Sequence, residues 1–582
     1  MSRSREAWES FVRIRCEGLF GGPKTLGTQG RAARLVAADH ELDVLKEFEV
    51  VMRQARNKLS PVGALPAEVL SVIFELAQEN WQPVAIKSNK SDSDDSDEDG
   101  EKELFEYSYD LGWIFVTHVC HSWRQVGLST ARLWQCLPCL GIPPLLASEI
   151  ICRSRNQPLE LVINDWPADT QTTQSALRGW LCPYLLRRTS ILRVEEVPAE
   201  DFKTWFTLMA HPMPILRRLK LELEDGDEDV VRLPETVFPG NYPHLTDVLF
   251  QDCVPQWDSV LFSSPITSLT LSATWVAEDA LFLPDMAEFR AVLVSLPGLE
   301  HLVLQNFYPR PCPPDQRQLE PLTLSNRFRH LKIKVDCGTV YEDLNADFWE
   351  SFVFPVASTV DLKIMLDEYD SWDDEGWHFL DPVLQLLDGG SNPKELLLND
   401  KSVIVLYPDD DPNITMPQSA PLQSSARKRT ILTWSAEVHT HVHRLPMIDL
   451  TSVRFTSDLQ KRFSSADAWM QSFSTAVTVK RLSISLKHAL PLLEALARTG
   501  VDGGMSLFPQ LQTIVIHEGP RKRADAGEWS RLELDVSLMD LMESRERAGV
   551  PLEVIAKKKM STWPIWTRVG EKTTVSFHKR VS

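Results

Sequence analysis

AEFRAVLVSLPGLEHLVL, residues 287–304, holds one complete structural unit. Phe289, Val292, Leu293 and Leu296 recur at steps of three and four, which puts them on one face of a helix. Pro297-Gly298 ends that helix, because proline cannot continue the hydrogen-bond ladder and glycine favours a turn. Leu299, Leu302 and Leu304 follow, and the last two alternate with other residues as a strand with one buried face requires. DPVLQLLDGGSNPKELLL (381–398) and LMDLMESRERAGVPLEVI (538–555) repeat the logic.

Alternating runs of this kind continue through the chain from residue 150 onward. Their first inward anchors are Leu161, Leu192, Leu219, Val248, Leu269, Leu302, Leu331, Leu362, Leu396, Val453, Leu482, Ile514 and Val554. Most successive anchors lie 27 to 34 residues apart, which leaves room for a strand, a helix and two loops. Several carry a further apolar residue three positions earlier: Leu216, Ile266, Leu299, Phe328 and Leu511. This L-x-x-L-x-L pattern resembles the strand signature of leucine-rich repeats. One such unit cannot bury its apolar face alone, but stacked units can.

The resemblance implies an α/β solenoid over 150–560, irregular in repeat length, with parallel strands on a concave face and helices outside. Lys220, Glu222, Thr270, Lys332 and Lys363 would then be read by a partner. A Pro- and Ser-rich stretch at about 407–430 reads as an inserted loop, followed by a hairpin at Ile431–His443. Residues 561–582 read as a C-terminal tail.

The N-terminal part has another texture. Residues 1–30 end in GGPKTLGTQG and read as a flexible N-terminus. Residues 31–59 read as a helix whose heptad a and d positions hold Leu35, Ala38, Leu42, Leu45, Met52 and Leu59, with breaks at Glu49 and Arg56. That pattern fits either docking on its own chain or a weak coiled coil.

Residues 60–138 contain two apolar halves, LPAEVLSVIFELA (65–77) and LGWIFVTHVCHSWRQVGLSTARLW (111–134). An acidic insert at 87–104 separates them, too polar to repay the entropy of ordering. Ser91, Ser93 and Ser96 lie among its acids, in a setting that acidophilic kinases prefer. The two halves bury more apolar surface than their own packing uses, so they point either to a partner or to the rest of the chain.

The pattern L-P-x-E-V-L-x-x-I-F, then W-x-x-V-x-x-V-C-x-x-W-R-x-V, then L-W, resembles the F-box, and most of all the F-box-like proteins abundant in mushroom-forming fungi. The resemblance implies a helical module that docks on a Skp-family adaptor and through it on a cullin, while the repeats hold a protein substrate for ubiquitin transfer. By position, the implied contacts are Leu65, Pro66, Val69, Leu70, Ile73, Val116, Val119, Cys120, Trp123 and Trp134. The insert is longer and more acidic than the usual connection, which puts the strength of that docking in question. An interaction scaffold without a cullin is the alternative reading.

Other chemistry finds little support. The net charge of −20 argues against a nucleic-acid surface. No run of 18 apolar residues marks a membrane span. Nine scattered cysteines fit reduced thiols in the cytoplasm or nucleus. His439, His441 and His443 would share one face of a strand, and a metal-dependent hydrolase there is the distant third reading; no further ligands flank them. Cys136 and Cys139 form a C-x-x-C without a second pair. Asp409–Asp411 and residues 223–231 lack the spacing of a calcium loop. The sequence therefore offers no catalytic, cofactor or metal set, and the expected role is non-catalytic.

Overall fold

The structure is a computed structural model. It describes residues 2–21, 27–88, 106–164, 170–224, 230–240, 242–263, 265–274, 282–310, 320–336, 348–355, 358–365, 394–400, 402–407, 427–433, 439, 442–445, 447–500, 503–518 and 528–578. The chain is an α/β protein with N-terminal helices and large parallel sheets. It divides into two compact units, Met1–Leu161 with Pro167–Leu177, and Val162–Trp166 with Arg178–Ser582.

In the first unit, α1 (Ser2–Phe20) and α2 (Thr28–Lys58) come first. The flexible N-terminus expected at 1–30 is thus largely helical. Trp8 stacks edge-on against Phe48 and Arg15 pairs with Glu41, so α1 has a helix to lie on. Helix α3 (Ala67–Asn80) starts after Pro66. Strands β1 (Val84–Ser88) and β2 (Glu106–Asp110) pair antiparallel, from Val84↔Asp110 to Ser88↔Glu106. Lys87 and Ser88 therefore belong to a strand and not to the acidic insert. Residues 89–105, including Ser91, Ser93 and Ser96, lie outside the described residues. A 3-10 helix (Gly112–His118), α4 (His121–Ser129) and a second 3-10 helix (Ala131–Trp134) complete the second half of the motif. Then follow β3 (Cys136–Pro138), α5 (Pro144–Arg153) and β4 (Leu159–Ile163).

The second unit is built on strands that pair in parallel, the strand Ser402–Tyr407 excepted. They begin with β5 (Thr189–Val197), β6 (Arg218–Leu223), β7 (Val231–Arg232), β8 (Asp247–Gln251) and β9 (Cys253–Val254). Next come β10 (Ser268–Ser272), β11 (His301–Gln305), β12 (Leu322–Thr323), β13 (His330–Asp336), β14 (Phe352–Val353) and β15 (Thr359–Met365). The remainder are β16 (Glu395–Leu398), β17 (Ser402–Tyr407), β18 (Arg427–Thr433), β19 (Ser452–Phe455), β20 (Arg481–Ser485), β21 (Thr513–Glu518), β22 (Glu553–Lys557) and β23 (Val575–His578).

The apolar anchors stand side by side. Leu192 pairs with Leu219, Leu219 with Val248, Val248 with Leu269, Leu269 with Leu302, and Leu302 with Leu331. Farther on, Leu396 pairs with Val453, Val453 with Leu482, Leu482 with Ile514, and Ile514 with Val554. All of these side chains are buried. Leu216, Ile266, Leu299, Phe328 and Leu511 are buried too. The helix of the opening unit spans Met286–Ser295 and is closed at its start by a capping box between Asp285 and Glu288.

Five readings need correction. Leu331 pairs with Val360, and Leu362 sits opposite Ile333, so the anchor of β15 is two residues earlier than expected. The TVDLKI run carries apolar residues at 360, 362 and 364, and alternation alone cannot choose between them. Of the expected hairpin at Ile431–His443, residues 431–433 belong to β18, which pairs antiparallel with β17, Tyr407 opposite Arg427, while 434–438 and 440–441 lie outside the described residues. The inserted loop is correspondingly narrower, since Tyr407 and 427–430 are strand; 408–426 lie outside the described residues. His443 lies in a 3-10 turn, Val442–Arg444, so the strand that would align three histidines is not formed there; His441 lies outside the described residues. Lastly, the expected tail holds a helix (Ile565–Lys572) and β23, whose Val575 pairs with Val554.

The hairpin has a topological role. Strand β18 runs parallel to β15, β17 runs antiparallel to both β18 and β16, and β16 runs parallel to β19. It therefore links two parallel sheets without reversing the direction of either.

Candidate functional site

Helix α3 carries two apolar stripes. Leu70, Phe74 and Gln78, four residues apart, are buried. Val69, Val72, Ile73 and Leu76 repeat at i, i+3, i+4 and i+7 and are 43, 55, 41 and 56 % exposed. A helix surface facing only water has no reason to hold four branched aliphatic side chains on one stripe.

The buried stripe is locked by the second half of the motif. Phe74 packs on Trp123, ring centroids 5.1 Å apart. The Gln78 amide donates to the Leu133 carbonyl at 2.8 Å. Trp134 packs on Trp113 at 4.9 Å, donates from Nε1 to the Gly127 carbonyl at 2.8 Å, and receives the Arg153 guanidinium on its ring at 4.9 Å. Cys120 caps α4, its sulfur accepting from the Trp123 amide.

Gly112 makes the join between hairpin and 3-10 helix. Its φ is +53°, and a Cβ there would stand 2.6 Å from the Trp81 carbonyl oxygen. Its N–H donates to Asp110 Oδ1 at 2.8 Å, and the next N–H, of Trp113, donates to the Trp81 carbonyl at 2.7 Å. Glycine is the residue that tolerates both this backbone and this close approach.

The expected contact residues therefore divide. Pro66, Val69, Ile73 and Val119 are exposed. Leu65, Cys120 and Trp123 are half-buried. Leu70, Val116 and Trp134 are buried, so they hold the module together and present nothing to a partner. Sequence reasoning missed Val72 and Leu76 as surface residues, although their spacing from Val69 marks them. It also missed Trp81 and Phe115, both exposed and stacked at 5.9 Å.

In the second unit, the outward row runs Arg193, Lys220, Leu249, Thr270, Val303, Lys332, Asp361 across paired strands. Lys363 is paired with Lys334 in a neighbouring row. Lys220 bridges Glu195 and Glu222, each at 2.8 Å. Burial works against its charge, but the two carboxylates outweigh that and raise its pKa. A cavity of about 500 Å³ opens beside Arg232, Trp257, Asp258 and Glu288.

Ser483 Oγ and His517 Nδ1 lie 3.1 Å apart on β20 and β21. Burial, then Arg454 and Lys557, push the His517 pKa down to about 4, against a smaller pull from Glu518. Both residues are buried, and the pair reads as a packing hydrogen bond inside the sheet unit. Among the described residues, no group of three or more His, Cys, Asp or Glu side chains is placed to hold a metal ion, and no helix is long and apolar enough to cross a membrane. His439 packs its ring edge-on against Phe463.

No known protein-family model matches the chain, and no curated protein matches it.

Proposed function

We propose that this chain is the substrate-recognition adaptor of a Skp–cullin–F-box type ubiquitin ligase. The observation that carries the reading is the exposed stripe Val69, Val72, Ile73 and Leu76 on a helix whose opposite stripe is already committed to the core. Such a stripe fits the groove of a partner as an amphipathic helix does. Each is already about half buried, so completing its burial on a partner is worth up to about 0.7–1.5 kcal/mol before association costs are subtracted. Leu65-Pro66 at the start of α3 and Val119 before α4 extend the surface in this reading.

Behind this module, the aligned strands form an irregular leucine-rich-repeat solenoid with its strands on the concave face. Its polar rows, including Lys220, Glu222, Thr270, Lys332 and Lys363, select a protein substrate. The chain performs no covalent step; it supplies proximity between substrate and a ubiquitin-charged partner. This work belongs to the cytoplasm or nucleus.

Co-expression with a Skp-family adaptor and a cullin tests the reading. Both should co-purify with the full chain, and the double variant Val69→Lys, Ile73→Lys should lose both while its circular dichroism and thermal transition stay unchanged. Recovery of the Skp-family protein without a cullin would replace the ligase with a scaffold. Recovery of neither would overturn the assignment.

A further inference from the structure

Helix α2 runs for 31 residues, about 46 Å, without one buried residue. Helix α1 covers only part of it. Trp8, Phe11 and Arg15 line a groove of about 400 Å³ together with Glu41, Val44, Leu45 and Phe48. Arg34 donates to the Phe20 carbonyl at 3.5 Å, so α1 lies antiparallel to α2 along this side. The next stripe round the helix is bare. Leu35, Leu42 and Met52 are 65, 55 and 55 % exposed, Leu59 continues the line, and Leu45, 42 % exposed, borders both this stripe and the α1 groove. These are the heptad a and d positions, the seam by which one helix packs on another of the same period.

The occupant can be read from the charges. In an in-register parallel pair, each a position meets its own copy, so Glu49 would face Glu49 and Arg56 would face Arg56 within the seam. An antiparallel pair removes both conflicts. With Leu42 set opposite Met52, Leu35 falls opposite Leu59 and Glu49 falls opposite Leu45, beside Lys46. The same register sets Asp39 opposite Ala55, two residues from Arg53 and one from Arg56. Arg56 falls opposite Ala38 and Lys58 opposite Val36, so Asp39 lies among the basic residues at the end of the other helix, while Glu41 stays with Arg15 of its own chain. An antiparallel pair of identical helices has the two-fold symmetry of a closed dimer.

We infer that α2 pairs antiparallel with the α2 of a second copy of this chain, and that the two α1–α2 hairpins close a four-helix bundle. Leu45 borders both the seam and the α1 groove, so the two faces adjoin on the helix as those toward neighbours in such a bundle do. The protein is then a dimer carrying two partner-binding modules. This inference does not depend on what those modules bind.

Sedimentation of the full-length chain at micromolar concentration tests it. The expected species has twice the chain mass. Leu42→Lys with Met52→Lys, both on exposed positions, should give a monomer with unchanged helix content. Asp39→Lys with Asp43→Lys should weaken the dimer about tenfold or more, and adding Arg53→Glu with Arg56→Glu should restore it. A monomeric wild-type chain overturns the inference. So does a dimer that survives the two lysines in the seam, or a four-charge variant that fails to recover.

Discussion

The side-chain amide of Gln78 donates to the main-chain carbonyl of Leu133 at 2.8 Å, across 55 residues of sequence. It joins the last turn of α3 to the short helix that ends the motif, and Gln78 is buried. Replacing it by Leu keeps the volume but leaves a buried carbonyl unpaired. We expect Gln78→Leu to lower the stability of the first unit by about 1–3 kcal/mol. Thermal unfolding of the full chain, followed by near-ultraviolet dichroism of the tryptophans, would register the loss; an unchanged transition would remove Gln78 from the structural core.

Gly112→Ala tests the junction between the hairpin and the 3-10 helix. The positive φ costs about 1–2 kcal/mol in a residue with a side chain. The new methyl would also press on the Trp81 carbonyl from 2.6 Å, where main chain cannot yield cheaply. The sum should exceed about 2 kcal/mol, and denaturant titration would measure it. A variant as stable as the wild type would mean that the chain crosses here by another path.

His517 sets a pH dependence with a definite sign. The unfolded imidazole takes a proton near its ordinary value of 6.5, whereas the folded one holds out to about pH 4. Between those values the unfolded state binds more protons, so stability falls as the pH falls from 6.5 to 4. The loss amounts to about 3 kcal/mol at the acid end. Above 6.5 the group contributes no slope. His517→Gln keeps an acceptor for the Ser483 hydroxyl and cannot titrate. Its stability, measured by urea unfolding through that window, should fall less steeply than that of the wild type by this amount.

Arg545 is fully buried in the helix Glu528–Arg547. Its guanidinium donates to the carbonyls of Leu507 at 2.9 Å and Phe508 at 3.1 Å. Burial lowers its pKa to about 10, which leaves it charged at neutral pH. Phe508 has a φ of +48°, so the turn it occupies needs outside support. Arg545→Met removes a buried charge, which is a gain, but strands two carbonyls, which is a larger loss. A net destabilisation of about 2–3 kcal/mol is expected in urea unfolding. A neutral result would show that the buried charge had cancelled its own hydrogen bonds.

The strand pattern was largely legible because strands such as β6, β8 and β11 bury alternate residues, and burial of one face forces alternation. Leu219, Leu302 and Leu482 are unambiguous for that reason. Where both faces are apolar, as in the Ser402–Tyr407 strand, alternation carries no information and the hairpin was misplaced. Val575 was missed because it follows Val554 by only 21 residues and no apolar residue stands three positions before it. Helix α1 escaped notice because its support, Phe48, lies on another helix. On α3 the spacing of Val69, Val72, Ile73 and Leu76 was readable, but which of two stripes faces inward depends on Phe74 meeting Trp123, a contact between segments far apart in sequence.

The pairing of Ser88 with Glu106 has a practical consequence. Strand β1 ends and β2 begins at one pair of neighbouring residues, and the contacts described between α3 and Trp123 and Leu133 are made by residues on either side of 89–105. These contacts join the two halves independently of the backbone through that span. A protease site placed within it should yield two fragments that stay associated by their shared core after cleavage, and the same position should accept a foreign domain. The motif is in effect a natural split protein, divisible at the place where its composition changes most.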